Sequence, residues 1–244
     1  MTSTATAAKL RERPITFTTD MVKAILDGRK TQTRRIIKEA PEAATALRLN
    51  SIGRYLESYL SELREWVPVV GPHGCETMVR CPKGIPGDHL WVKETYGFGW
   101  QSGHGWYSAI PVTGKEKQPE KIFYKADPKW DKWDENKGQL QWRNVRFMPR
   151  FASRLTLEIT NVRVERLQQI SEADAIAEGV RQLRDGSGTF AGREGPGKLV
   201  TPWLTAKEAF ADGWDAINAR RGFAWSSDVW VWVIEFKKID SRAA

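Results

Sequence analysis

Gly28-Arg29-Lys30-Thr31-Gln32-Thr33-Arg34-Arg35 packs one glycine, two hydroxyls and four cations into eight residues. The stretch follows a short amphipathic pattern and leads into Ile36-Ile37, so it reads as the turn between a helix and a strand. Upstream, Ile15-Thr16-Phe17 has the composition of a short strand. Thr18 or Thr19 can cap the helix that follows, with Asp20 in its first turn. Met21, Val22, Ile25 and Leu26 form the apolar stripe of that helix, and Gly28 ends it.

Lys30 and Thr33 are three residues apart, so they lie side by side in a helical winding or turn and on opposite faces of a strand. Thr33 and Arg35 are two apart and share one face of a strand. A turn followed by a strand gathers Lys30, Thr33 and Arg35 around one pocket. Such a pocket suits an anion, because a guanidinium pairs with phosphate or carbonyl oxygen. It also allows a lysine to activate a hydroxyl. For that, the lysine pKa must fall from about 10.4 to near 7, a change of ~4 kcal/mol. Burial and neighbouring cations push in that direction. A solvated basic loop that touches nothing satisfies the same spacing.

The rest of the chain sets the frame. Its 244 residues, 41% hydrophobic and 28% charged, have the material for a core. A net charge of +8 favours polyanionic partners, nucleic acid before an anionic membrane. Cys75 and Cys81 fit no common zinc spacing, and His73, His89 and His104 do not complete one, so no metal or other cofactor is expected. Two such thiols suit a reducing cytoplasm. Met1 to Leu10 lacks the apolar segment of a signal peptide, and no apolar run approaches the ~20 residues of a membrane span. The expected location is therefore cytoplasmic, with no membrane partner.

Residues 1–13 read as a disordered basic tail. Alanines and leucines in 42–66 predict one or two helices, and Val69 to Gly87 reads as loop. His89 to Thr95 reads as a strand entered through Pro86-Gly87-Asp88. The region 97–147 shows little period, with a strand from Lys121 to Ala126. Leu155, Leu157 and Ile159 alternate within a long strand from Arg154 to Leu167, and a parity shift at Val162 predicts a bulge near Thr160-Asn161. Ser171 to Asp174 resembles a capping box opening a helix that Gly179 stops. The glycine-rich stretch 184–202 reads as mobile. Thr205 with Glu208 opens a helix whose inner face is Ala206, Ala209, Phe210, Trp214 and Ile217. Val229 to Phe236 is nearly continuously apolar, as for a strand buried on both faces. The pattern is a mixed α/β (α+β) arrangement around a small sheet or barrel.

The pattern Gly28-x-Lys30-x-x-Thr33-x-Arg35 after a short helix resembles the signature of the ASCH domain family, within the PUA-like superfamily. Ile15-Thr16-Phe17, Gly87-Asp88-His89-Leu90 and Trp232-Val233-Ile234-Glu235-Phe236 occur in the order that family shows. The resemblance covers about 14–38, 86–96, 150–180 and 228–240. It implies a PUA-like small β-barrel with short flanking helices, forming a single domain over 14–240. The long insertions, at about 39–85, 97–147 and 184–202, look like those of larger phage and prophage ASCH proteins.

The family is associated with RNA, and one branch is an N4-acetylcytidine amidohydrolase with a lysine, a threonine nucleophile and a glutamate. Carried over, these are Lys30, Thr33 and Glu178; Glu172 and Asp174 compete with Glu178 for the acid. The implied function is an RNA- or modified-nucleoside-binding protein that removes acetyl groups from N4-acetylcytidine-type substrates. A non-catalytic nucleic-acid-binding module and a ribonuclease are the alternatives. Arg34, Arg35, Phe17, Trp91, Lys93 and Glu94 are the candidate substrate-binding residues. Trp91 and Lys93 share a strand face and could offer a stacking surface beside a cation. Arg150 and Arg154 flank Phe151 and form a second basic, aromatic patch.

Overall fold

A cap, a stop and an apolar strand place the cationic loop. In the computed structural model, which describes residues 10–37, 66–70, 76–102, 105–108, 121–128, 141–194 and 200–239, helix α1 spans Thr19–Leu26. The Thr18 hydroxyl caps it by accepting from the Met21 N–H at 3.4 Å. Gly28, at φ +74°, takes the left-handed conformation that lets the chain leave. Strand β1 (Glu12–Thr16) precedes α1 and begins three residues before the expected Ile15. Strand β2 (Gln32–Ile36) follows the loop. The helix buries Val22, Ala24 and Ile25, while Leu26 sits at the exposed edge of the predicted stripe.

The remaining strands are β3 (Trp66–Val70), β4 (Glu76–Arg80), β5 (His89–Lys93), β6 (Tyr96–Ser102), β7 (Gly105–Ser108), β8 (Lys121–Tyr124), β9 (Thr156–Arg166), β10 (Arg181–Gln182), β11 (Phe190–Glu194), β12 (Val200–Trp203) and β13 (Trp230–Ile239). Two further helices are α2 (Glu172–Ala177) and α3 (Ala206–Asn218). The largest sheet has the order β1-β5-β9-β13-β2, and three smaller sheets pair β10-β11-β12, β3-β4 and β7-β6-β8. The fold is mixed α+β, and no closed barrel forms among the described residues. No described helix is long and apolar enough to cross a membrane.

The chain divides into two compact units. The first comprises Met1–Arg11, Gly28–His89 and Glu158–Lys237. Within it β13 pairs antiparallel with β2, setting Ile234 opposite Thr33 and Trp232 opposite Arg35. Val231, Trp232, Val233 and Ile234 are all buried, so β13 is covered on both faces as its composition predicts. Leu167, Trp214, Val231 and Val233 form one core cluster, with Phe210 and Trp225 packed against it. Each such side chain contributes about 1.5–3 kcal/mol by leaving water. A second cluster joins Ile170, Ala175 and Ala206. The Thr205–Glu208 capping box opens α3 as expected, but Ile217 is exposed and Asn218 takes the buried position.

Two stretches read as loop are sheet. β4 and the last two residues of β3 fall inside the predicted loop of 69–87, and the two strands pair antiparallel with Trp66 opposite Arg80. Pro68 fits because both strands of a two-stranded sheet are edges. The stretch 184–202 holds β11 and most of β12. Its glycines serve turn geometry and close approach. Gly186 and Gly188 have positive φ, and a Cβ at Gly192 would stand 2.6 Å from Asp212 Oδ2. Of the stretch 42–66 expected to be helical, Trp66 instead opens β3, and the rest, with the thiol of Cys75, lies outside the described residues, whereas Cys81 is buried.

The second unit comprises Glu12–Asp27, Leu90–Leu157 and Lys238–Ala244. The Phe17 N–H donates to the Lys93 carbonyl at 3.1 Å and the Val92 N–H to that of Leu155 at 2.9 Å. Tyr96, Phe98, Met148 and Ala152 make its core cluster, with Ile122 and Tyr124 against it.

Candidate functional site

A short helix leaves its last carbonyls without partners, and those oxygens carry the negative end of the helix dipole. In α2 the cationic loop supplies the donors. The Thr31 N–H reaches the Ala177 carbonyl at 2.9 Å. Arg29 Nη1 reaches Gly179 O at 3.0 Å and Lys30 Nζ reaches Glu178 O at 2.6 Å. Gln32 Nε2 donates to Asp174 O at 2.9 Å. The Thr31 carbonyl in turn accepts from Phe236 N at 2.8 Å, tying the loop to β13. The loop therefore clasps the end of α2.

Glu178 sits beside the stop glycine, and its side chain turns inward. Its Oε2 accepts from Lys30 Nζ at 2.7 Å, with Lys30 fully buried and Glu178 only 5% exposed in their side chains. Its Oε1 accepts from Arg34 Nη1 at 3.3 Å. Burial lowers the Lys30 pKa from its ordinary 10.5; the Glu178 carboxylate opposes this, and Arg35 and Arg34 add to it. The three predicted residues Lys30, Arg34 and Glu178 thus meet directly.

Around them runs an alternation of charges. Arg34 Nη2 donates to Glu165 Oε2 at 3.0 Å and to Asp174 Oδ2 at 3.3 Å. Arg163 Nη2 donates to Asp174 Oδ1 at 3.1 Å, and its other nitrogens bind Glu165 and Glu235. Burial pushes the Asp174 carboxyl up, but Arg34 and Arg163 outweigh it and hold its pKa below the ordinary 3.8. Asp174 is therefore an ion-pair partner of arginines, while Glu172 caps α3 by accepting from the Ala206 N–H at 2.7 Å. Of the three acids weighed from sequence, Glu178 is the one bound to Lys30.

Thr33 is buried in β2 at 3% exposure. Strand alternation puts it on one face with Arg35 and puts Gln32 and Arg34 on the other. Its hydroxyl makes no side-chain hydrogen bond among the described residues, so none joins it to Lys30 in this state. Arg35 lies close enough for its charge to act on Lys30.

The other four predicted residues belong to the second unit. Phe17 is 1% exposed and is a core side chain. Glu94 is buried and takes a two-pronged grip from Arg154, whose Nε and Nη2 lie 2.9 and 3.0 Å from its two oxygens. Arg154 also binds Asp127. Trp91 is half-buried, with Lys93 Nζ 5.4 Å from its ring centroid.

Sequence reading missed Arg163, Glu165 and Glu235. The signals are Arg163 and Glu165 two apart on β9, and one acid, Glu235, within the apolar run Trp230 to Phe236 of β13. Among the described residues no group of three or more His, Cys, Asp or Glu side chains could hold a metal ion.

The chain matches no protein-family model, no curated protein and no solved structure.

Proposed function

We propose that this is a PUA-like, ASCH-type protein of RNA or modified nucleosides, with an amidohydrolase site for N4-acetylcytidine-type substrates at Lys30, Thr33 and Glu178. The observation that carries the reading is the fully buried Lys30 amine, held 2.7 Å from Glu178 with its pKa depressed. A buried lysine of lowered pKa is a group able to take a proton. In this reading neutral Lys30 removes the Thr33 proton as the threonine oxygen bonds to the acetyl carbon. The C–N bond then breaks, and the proton passes to the departing N4 amine. Water next cleaves the acetyl-threonine ester, releasing acetate and restoring the hydroxyl. Arg35, on the Thr33 face, steadies the oxyanion. The first step requires the Thr33 hydroxyl to come within about 3 Å of Lys30 once substrate is bound.

The test is chromatographic. Purified protein is incubated with N4-acetylcytidine beside Lys30→Met, Thr33→Val and Glu178→Gln variants whose folding is checked by thermal melting. Wild type should release cytidine, and folded Lys30→Met and Thr33→Val should fall by about 100-fold or more. Turnover that survives both changes sinks the assignment.

A second reading has its own support. Arg29, Lys30, Thr31 and Gln32 all donate to carbonyls at the end of α2, which is a structural task. On that reading the chain is a non-catalytic nucleic-acid binder that uses Arg35. It is favoured if no cytidine appears and RNA binding shows a log–log salt slope that shrinks in Arg35→Ala.

A further inference from the structure

Val145-Arg146-Phe147-Met148-Pro149-Arg150-Phe151 repeats an Arg-Phe pair at an interval of four. Two short 3-10 turns, Val145–Phe147 and Arg150–Ala152, carry one pair each. Met148 and Ala152 are buried in the cluster of Tyr96 and Phe98. Phe147 and Phe151 face the other way, 75% and 67% exposed, and they are the large exposed aromatics among the described residues.

The backbone that carries these rings is held in place, and the Phe151 ring has a packing partner. Tyr96 Oη donates to the Phe147 carbonyl at 3.0 Å, and Tyr124 Oη to that of Ala152 at 2.9 Å. Lys93 Nζ donates to the Arg146 carbonyl. The Phe151 ring lies on the buried Phe98 ring, with centroids 6.3 Å apart and planes 23° from parallel. An exposed ring fixed this way loses little freedom when something stacks on its open side.

Cations interleave with the rings. Arg146 is exposed, and the Arg143 guanidinium stands 5.4 Å from the Phe98 centroid. Arg150 and Lys93 approach the Trp91 centroid at 5.9 and 5.4 Å. The nearby acid is Glu12, paired with Arg150 at 3.0 Å, both side chains well exposed at 39% and 45%. The pair is two-pronged, with Arg150 Nη2 also 3.1 Å from the other Glu12 oxygen, so a phosphate must displace Glu12 to take Arg150, at a solvent-exposed position where salt screens the pair. Arg154, which the sequence grouped with this patch, is committed to Glu94 and Asp127.

We propose that this surface is a stacking platform for single-stranded nucleic acid. Phe147 and Phe151 take unpaired bases, and Arg146 and Arg150 take the phosphates. Every base offers a π face, and every linkage offers an anion, so alternating rings and guanidinium groups match an unpaired strand. A membrane would instead select a continuous apolar face on an amphipathic helix. The platform lies within the second unit and does not rest on the Lys30 site.

Fluorescence anisotropy tests it with a labelled, unstructured RNA of about 12 nucleotides, the equivalent DNA, a duplex of the same length and phosphatidylserine vesicles. All are measured on the full-length chain. Phe147→Ala and Phe151→Ala should each weaken single-strand binding roughly five-fold or more. Phe147→Leu, which keeps the apolar bulk and loses the π face, should behave like Phe147→Ala. Arg146→Ala should lower the log–log salt slope by about 0.7. Preference for RNA over DNA, or the reverse, identifies the strand. The proposal is overturned if the folded phenylalanine variants bind as wild type, if leucine restores binding, if duplex binds as tightly as single strand, or if vesicles displace the oligonucleotide.

Discussion

On the Lys30 amine two opposing effects meet. Burial drives its proton off, and the Glu178 carboxylate at 2.7 Å holds it on. The balance leaves the pKa below 10.5. Between that lowered value and 10.5 the unfolded chain carries a proton that the native state lacks. Stability therefore rises with pH across this window. Urea unfolding at successive pH values should show the rise in wild type and a flatter profile in Lys30→Met; identical profiles would contradict the shift. The same lowered pKa sets the acid limb of any deacetylation rate, which should climb as Lys30 loses its proton. Glu178→Ala acts differently, because it removes the carboxylate from the fully buried Lys30, which keeps the backbone carbonyl of position 178, and takes one of three acids from Arg34, which keeps Glu165 and Asp174. We expect it to cost about 3–5 kcal/mol in urea unfolding. Glu178→Gln, which still accepts a hydrogen bond, should cost less. An alanine variant as stable as wild type would remove Glu178 from its structural role.

Among the elements, those with chemical punctuation were legible and those defined by partners were not. Thr18, Gly28, Ser171, Gly179, Thr205 and Glu208 mark the three α-helices among the described residues because caps and stops are local. The alternation of Leu155, Leu157 and Ile159 announced β9, and the nearly continuous apolar run from Val229 to Phe236 announced β13. The Lys30–Glu178 pair came only through resemblance, since 148 residues separate the partners and no local pattern joins them. Gly186, Gly188 and Gly192 read as mobility although they build turns and a close contact. Burial at Phe17 and the Arg154 grip on Glu94 also depend on distant neighbours. The cap logic makes a direct prediction for α3. There the Thr205 hydroxyl accepts from Glu208 N at 3.1 Å, and Glu208 returns the favour to Thr205 N at 3.1 Å. Thr205→Ala should destabilise by about 1 kcal/mol in thermal or urea unfolding. A loss under a few tenths would mean that packing of Ala206, Ala209 and Trp214 alone fixes the helix start.

Over the whole molecule, 38 lysines and arginines against 30 acids leave a formal charge of +8. Several of these cations are spent internally: Lys30, Arg34, Arg154 and Arg163 all face carboxylates. What remains outward acts at long range and is screened over about 10 Å at 0.1 M salt. The rings of Phe147 and Phe151 act only at contact. These two kinds of interaction should separate in time. Net charge gathers an anionic strand, so raising salt from about 50 to 200 mM should chiefly slow association. Stacking retains the strand, so Phe147→Ala and Phe151→Ala should speed dissociation and leave association nearly unchanged. Stopped-flow anisotropy on a labelled oligonucleotide measures both rates. If removing the rings slows association instead, the aromatic pair guides encounter rather than holding the strand, and charge and stacking do not divide the work as argued.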